Sequence, residues 1–225
     1  MSGDRSVETV VFDIGNVLVD WNPRYLYRKV FADEEEMEHF LGTVATFEWH
    51  LEQDRGRSNE EATALLISRH PEYAREIEAY YGRWEEMFGG QIEGSVRLLG
   101  QLHERGYPLY ALTNWSAETF PLAQTWYRFL ELFDEIVVSG ELGMIKPDPE
   151  IYGALVERTG LNPATSVFID DSAPNVRAAE ALGFKGVLFE GADGLRNDLT
   201  SLGLLQNEDG SPHRAVEPGS RWPLA

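Results

Sequence analysis

The stretch that decides the fold is VVFDIGNVLVDW, residues 10–21. A run of β-branched and aromatic residues ends at a single carboxylate, Asp13, and the chain then turns through Gly15 into a second apolar run. Working outward, residues 9–12, 108–112, 135–138, 166–169 and 186–189 read as short strands. Most are continuous apolar runs, which suit parallel strands covered on both faces. Between them, SVRLLGQLHERG and PEIYGALVERTG carry apolar residues at helical spacing and close at Gly106 and Gly160. Strands alternating with helices predict an α/β protein with a doubly wound parallel sheet.

Residues 20–90 interrupt that alternation. They show no convincing strand, several amphipathic helical runs and a capping-box start at SNEE, where Ser58 faces Glu61. The block is rich in aromatics, among them Trp21, Tyr25, Trp49, Tyr80, Tyr81 and Trp84, most of them expected to fill its own small core and one or two free to stack on a ligand. The expected division is therefore a core of residues 1–19 and 91–206, an inserted helical cap of residues 20–90, and a polar tail of residues 207–225.

Composition narrows the function. The 225 residues carry 38 Asp and Glu against 19 Lys and Arg, a formal charge of -19, which opposes nucleic acid phosphates and anionic lipid alike. There is no cysteine, so thiolate metal sites and disulfides are excluded. No apolar run approaches the ~18 residues of a membrane span, and the polar start MSGDRSVET lacks the apolar region of a signal peptide, so the expected location is the cytoplasm. A phosphorylated partner would be a small molecule met locally; oligomeric state is not readable.

In a doubly wound sheet, ligands bind beyond the carboxyl ends of the strands. The polar residues there are Asp13 after the first strand, Thr113 and Asn114 after the second, Lys146 in the loop after the third, and Asp170 with Asp171 after the fourth. Singly, Asp170, Asp171 or Ser172, and Thr113 or Ser116, could do no more than cap the helices that follow. Capping alone does not account for three acids, a hydroxyl and a lysine at one edge. Lys146 is also one of only three lysines, with Lys29 and Lys185.

The four segments VVFDIGNVL, LTNWS, GMIKPDPEIY and VFIDDSAPN, in that order, resemble the four motifs of the haloacid dehalogenase superfamily, and the insertion is similar to that superfamily's type 1 cap. The resemblance implies a nucleophile at Asp13, phosphate binding at Thr113, charge neutralisation by Lys146, and a magnesium ion held by Asp13, the Gly15 carbonyl, Asp170 and Asp171. A carboxylate can attack phosphorus and be released by water, which splits one hard step into two. Three acids would repel a phosphate, however: at about 4 Å and an effective dielectric near 20 each like-charge pair costs on the order of 4 kcal/mol. A magnesium ion and the Lys146 ammonium offset that repulsion.

One position departs from the pattern. Phosphatases of the superfamily carry a second acid two residues after the nucleophile as general acid, and here that residue is Gly15. The omission is least costly for acidic leaving groups, and DIGNV is similar to the segment in glucose-1-phosphatase-like members, whose leaving group is anomeric. An acid from the cap could replace it. The polar stretch HLEQDRGR, residues 50–57, offers His50, Glu52, Asp54 and Arg55, with His50 and Arg55 expected to meet the substrate. The expected function is a magnesium-dependent phosphatase of small phosphorylated metabolites, sugar 1-phosphates among them. The alternatives are a metal-free 2-haloacid dehalogenase using the same Asp13, and a weakly active phosphometabolite-binding protein.

Overall fold

The computed structural model describes residues 6–206, so the expected tail at 207–225 lies outside the described residues. The strands are β1 (Thr9–Phe12), β2 (Val19–Trp21), β3 (Phe88–Gln91), β4 (Leu109–Thr113), β5 (Glu135–Val138), β6 (Ser166–Asp170) and β7 (Lys185–Leu188). The helices are α1 (Arg24–Tyr27), α2 (Glu34–Thr43), α3 (Phe47–Asp54), α4 (Asn59–Arg69), α5 (Ala74–Gly82), α6 (Glu93–Glu104), α7 (Phe120–Trp126), α8 (Ser139–Leu142), α9 (Pro149–Thr159), α10 (Ala173–Ala181) and α11 (Ala192–Ser201). Short 3-10 turns link several of them.

Five strands form one parallel sheet in the order β5-β4-β1-β6-β7. Every residue of β1 and β6 is buried, as their continuous apolar runs require. Side chains alternate across the sheet, and the two faces meet different helices. Val10 and Phe12 pack with Leu98, Leu99 and Leu102 of α6 and Leu195 of α11. Val11 and Phe168 face Ile151, Tyr152 and Leu155 of α9 and Ala179 of α10. Gly160 closes α9 with a φ of 69°, a left-handed conformation that glycine adopts without a Cβ penalty. The central strand β1 has β4 on one side and β6 on the other, which places the switch point of the sheet at the end of β1, beside Asp13.

Two details differ from the sequence reading. Strands β4, β6 and β7 are offset by one residue or extended at an end, so that Thr113 and Asp170 are the last residues of their strands rather than the first residues beyond them. The block from residue 20 to 90 also holds strand, contrary to expectation: β2 and β3 pair antiparallel, with Asp20 opposite Gly90. Strands of three and four residues, one of them FGGQ, offer no alternation to read. Between this ribbon's strands, α1 to α5 enclose a separate core of Leu26, Tyr27, Met37, Phe40, Ile77 and Tyr80. Ser58 accepts the Glu61 N–H at 3.1 Å, one half of the expected capping box.

Candidate active site

The core side of the site is built from strand ends. Asp13 follows β1 and is 7% exposed; its N–H donates to the Ile169 carbonyl at 2.8 Å, which extends the β1–β6 ladder by one residue. Lys146, in the loop before α9, is 2% exposed, and its ammonium lies 2.8 Å from Asp13 Oδ1 and 2.7 Å from Asp170 Oδ2. Asn114 fixes that loop: its Nδ2 donates to the Lys146 carbonyl at 3.0 Å and its Oδ1 accepts the Lys146 N–H at 2.8 Å. Asn114 therefore lines the cavity with its amide already engaged.

Asp170 and Asp171 differ sharply. Asp170 is fully buried, and its carboxylate also accepts the Ser172 N–H at 2.8 Å and Asn175 Nδ2 at 3.0 Å. Ser172 precedes α10 but makes no side-chain cap, so the helix start is tied through Asp170 instead. Asp171 faces the cavity, beside Asn16. Asn16 takes the left-handed conformation, with a φ of 54°, where asparagine is tolerated better than most residues. Carboxylate oxygens of Asp13, Asp170 and Asp171 all lie within 4.8 Å of one another.

Charge is unbalanced here. Burial pushes the Asp13 carboxyl up to about 7; Lys146 pulls it down and Asp170 pushes it up again. Burial pushes the Lys146 ammonium down, but Asp13 and Asp170 outweigh that and raise it above its ordinary value. Burial and then Asp170 raise Asp171. Two buried acids and the exposed Asp171 against one ammonium make a donor set of hard oxygens with excess negative charge, which fits a divalent cation such as magnesium. The Thr113 hydroxyl, at the end of β4, is buried and finds no partner among the described residues, and Thr113 is not among the residues lining the cavity. Ser116 instead accepts the Glu118 N–H at 3.2 Å, and α7 starts four residues on, at Phe120.

The cap side comes from β2, α3 and the turn after α5. The stretch expected as a polar link between helices is α3 itself and the turn that follows it. His50, Gln53 and Asp54 are buried, whereas Glu52 is exposed. Arg55, expected to meet the substrate, is not among the residues lining the cavity; its guanidinium pairs with Asp148 at 2.9 Å across the seam between cap and core. The cavity has a volume of about 340 Å³. Its walls include Trp21, Phe47, Trp84 and Trp115, with His50 stacked on Trp21 at 4.9 Å. The indole nitrogens of Trp21 and Trp84 are buried without partners among the described residues. Sequence reasoning missed Asn16 and Asn175 altogether. Asn175 had a signal, since it lies five residues after Asp170 in the first turn of a helix whose start is fixed by Pro174.

Comparison with known proteins points to one family. The family description haloacid dehalogenase-like hydrolase matches residues 7–183. The chain is 34% identical over 122 residues to flavin mononucleotide hydrolase 1 of Arabidopsis thaliana, a match that covers 50% of this chain and 46% of that protein. It is 29% identical over 184 residues to a sesquiterpene phosphatase of Aspergillus oryzae, covering 80% of this chain and 88% of that one. It thus spans about half the length of the first relative and most of the second. Among solved structures, a HAD family enzyme from Bacteroides thetaiotaomicron in complex with magnesium and inorganic phosphate superposes with a TM-score of 0.63 at 24% identity, covering 83% of this chain and 96% of that one; at this identity the likeness is one of fold.

Proposed function

We propose that this chain, which belongs to the haloacid dehalogenase-like hydrolase family, is a magnesium-dependent phosphatase of a small metabolite, with Asp13 as nucleophile. The observation that carries the reading is the convergence of Asp13, Lys146, Asp170 and Asp171 at one strand edge, beside the unpartnered Thr113 hydroxyl. Asp13, Asp171 and the Gly15 carbonyl would hold the magnesium ion, with Asp170 completing the carboxylate set; the ion would supply positive charge against the phosphate oxygens. Lys146 adds a second positive charge, and its contact with Asp170 aims the ammonium at Asp13. Thr113 donates its free hydroxyl to a phosphate oxygen. Asp13 then attacks phosphorus, the leaving oxygen departs, and water releases phosphate from the aspartyl phosphate.

The cavity supports a neutral leaving group with an apolar face. Lys146 is the only lysine or arginine among its lining residues, so nothing there matches a second phosphate or a carboxylate. Aromatic walls suit the carbon face of a sugar. A sugar 1-phosphate fits that description. Asp170 and Asp171 count against the dehalogenase alternative, because acids at this edge would repel a haloacid's carboxylate.

Phosphate release measured over a panel of sugar phosphates, with magnesium and with chelator, tests the reading. Release should require magnesium, and Asp13→Asn should reduce it by more than about 10³-fold with the fold intact. Release that persists in chelator, or in Asp13→Asn at above a tenth of wild type, would overturn it.

A further inference from the structure

We propose that Asp54, carried in by the cap, protonates the leaving oxygen as it departs from phosphorus above Asp13; this rests on the phosphatase reading of the site. The backbone gives no reason for the missing acid at Gly15. A Cβ built on Gly15 meets nothing within 4 Å, and its φ lies outside the left-handed region. The position accepts a Cβ, so the absence of an acid points to a donor elsewhere. Asp54 lines the same cavity as Asp13 and Lys146, and is 3% exposed.

The core holds this cap residue in place. The Asp54 carbonyl accepts the Ser139 hydroxyl at 2.7 Å, and its carboxyl accepts the Ser116 N–H from the loop after β4. The next residue, Arg55, makes the ion pair with Asp148. Asp54 therefore ends α3 at a fixed point over the strand edge.

Its surroundings also set its charge. No lysine or arginine among the described residues pairs with it; His50 Nε2 lies 3.5 Å from Asp54 Oδ2. Burial pushes His50 down to about 4, so the imidazole is neutral at pH 7. Burial, followed by the charge of Asp13, pushes the Asp54 carboxyl up to about 8, against the opposing pull of the Ser116 N–H and Lys146. The contact is thus one between two neutral groups, not an ion pair, and Asp54 enters the reaction carrying its proton.

The step balances. As the Asp13 carboxylate bonds to phosphorus, the bond from phosphorus to the leaving oxygen breaks, and its electron pair takes the Asp54 proton. Asp54 is left as a carboxylate. It then removes a proton from the water that attacks the aspartyl phosphate; the bond from phosphorus to Asp13 breaks, phosphate leaves, and both acids return to their starting states.

The test uses the full chain with magnesium and a series of aryl phosphates from p-nitrophenyl to phenyl phosphate. Asp54→Asn should lower kcat/KM for phenyl phosphate by about 10²- to 10⁴-fold, with a loss at least about tenfold smaller for p-nitrophenyl phosphate, which needs little help from an acid. Adding Gly15→Asp to that variant should recover part of the phenyl phosphate rate selectively. Equal losses on both esters, or a wild type already as steep in leaving-group acidity as the variant, would overturn the proposal. Should Asp54→Asn unfold, Asp54→Glu keeps the carboxyl and must keep the shallow dependence; a steep one overturns the proposal equally. A wild type that frees no phosphate from any ester but frees chloride from 2-chloropropionate would instead remove the phosphatase reading, and this inference with it.

Discussion

One cavity has two electrostatically opposite walls. The core wall, built from Asp13, Lys146 and Asp171 with Asp170 behind them, is charged and bound together by an ammonium less than 3 Å from two carboxylates. The cap wall, built from Trp21, His50, Asp54 and Trp84, contains an acid and a base that burial keeps neutral. Both walls bury a carboxyl. What separates them is the counter-ion: Lys146 favours ionisation of Asp13, whereas Asp54 pairs with no lysine or arginine among the described residues and keeps its proton. Burial raises both carboxyls, Asp13 to about 7 and Asp54 to about 8, and only Asp13 has an ammonium in contact to draw it back towards the ionised form that a nucleophile needs.

The most severe way to break this contrast is to turn the core wall into a second cap wall. Lys146→Met removes the ammonium between Asp13 and Asp170 and should destabilise the protein by about 3–5 kcal/mol, as loss of one partner of a buried ion pair does. A urea melt reads this directly, and a change below about 1 kcal/mol would mean that the ammonium is not what holds the two acids.

The cap wall should respond to pH. A carboxyl whose pKa is raised on folding adds stability that is full at low pH and is lost as pH rises towards the folded value. For Asp54 that window runs from its ordinary value of 3.8 up to about 8. Asp54→Asn has no such loss, so its melting temperature should gain on wild type as pH rises, at about 1.4 kcal/mol per unit by which folding moves the pKa. His50, pushed down by burial, acts in the opposite direction and weakens the fold as pH falls from 6.5 towards about 4. A difference between variant and wild type that is flat in pH would mean that folding leaves the Asp54 carboxyl at its ordinary value.

The smallest expected effect lies at the seam between the walls. A Cβ on Gly140, in α8, would sit 2.4 Å from the Ala117 nitrogen and 2.8 Å from the Trp115 carbonyl oxygen. Gly140→Ala should therefore push α8 away from the loop after β4, at about 1–3 kcal/mol. Because Ser139 ties that same helix to Asp54, the substitution should also lower activity on phenyl phosphate more than on p-nitrophenyl phosphate.

The two walls were unequally legible. The core wall could be read because each of its acids stands at the end of, or just beyond, a continuous apolar strand, where a solvated acid has no other reason to be. Asp13, Asp170 and Asp171 announce themselves in that way. The cap wall could not, because a polar helix face is ordinarily read as facing water. His50, Gln53 and Asp54 recur at helical spacing, and in this fold that polar stripe is the buried one, with His50 and Asp54 on the cavity and Gln53 bonded to the Trp49 carbonyl. The spacing was visible, but the direction of the stripe depends on what packs against it. The β2–β3 ribbon was hidden for a different reason, since it is too short and too rich in glycine to show a period.

That ribbon has a consequence for how the molecule can change. Residues 22–87 leave and return through strands that are hydrogen-bonded neighbours, with Val19 opposite Gln91. The α/β core thus meets a closed two-stranded stub, whatever length of chain lies beyond it. Loop-closure entropy grows only logarithmically, so doubling that length would cost about 0.6 kcal/mol. Insertions, deletions or wholesale exchange beyond the stub would leave β1 and its aspartate where they are, and the lineage could vary what is hydrolysed without rebuilding what hydrolyses it.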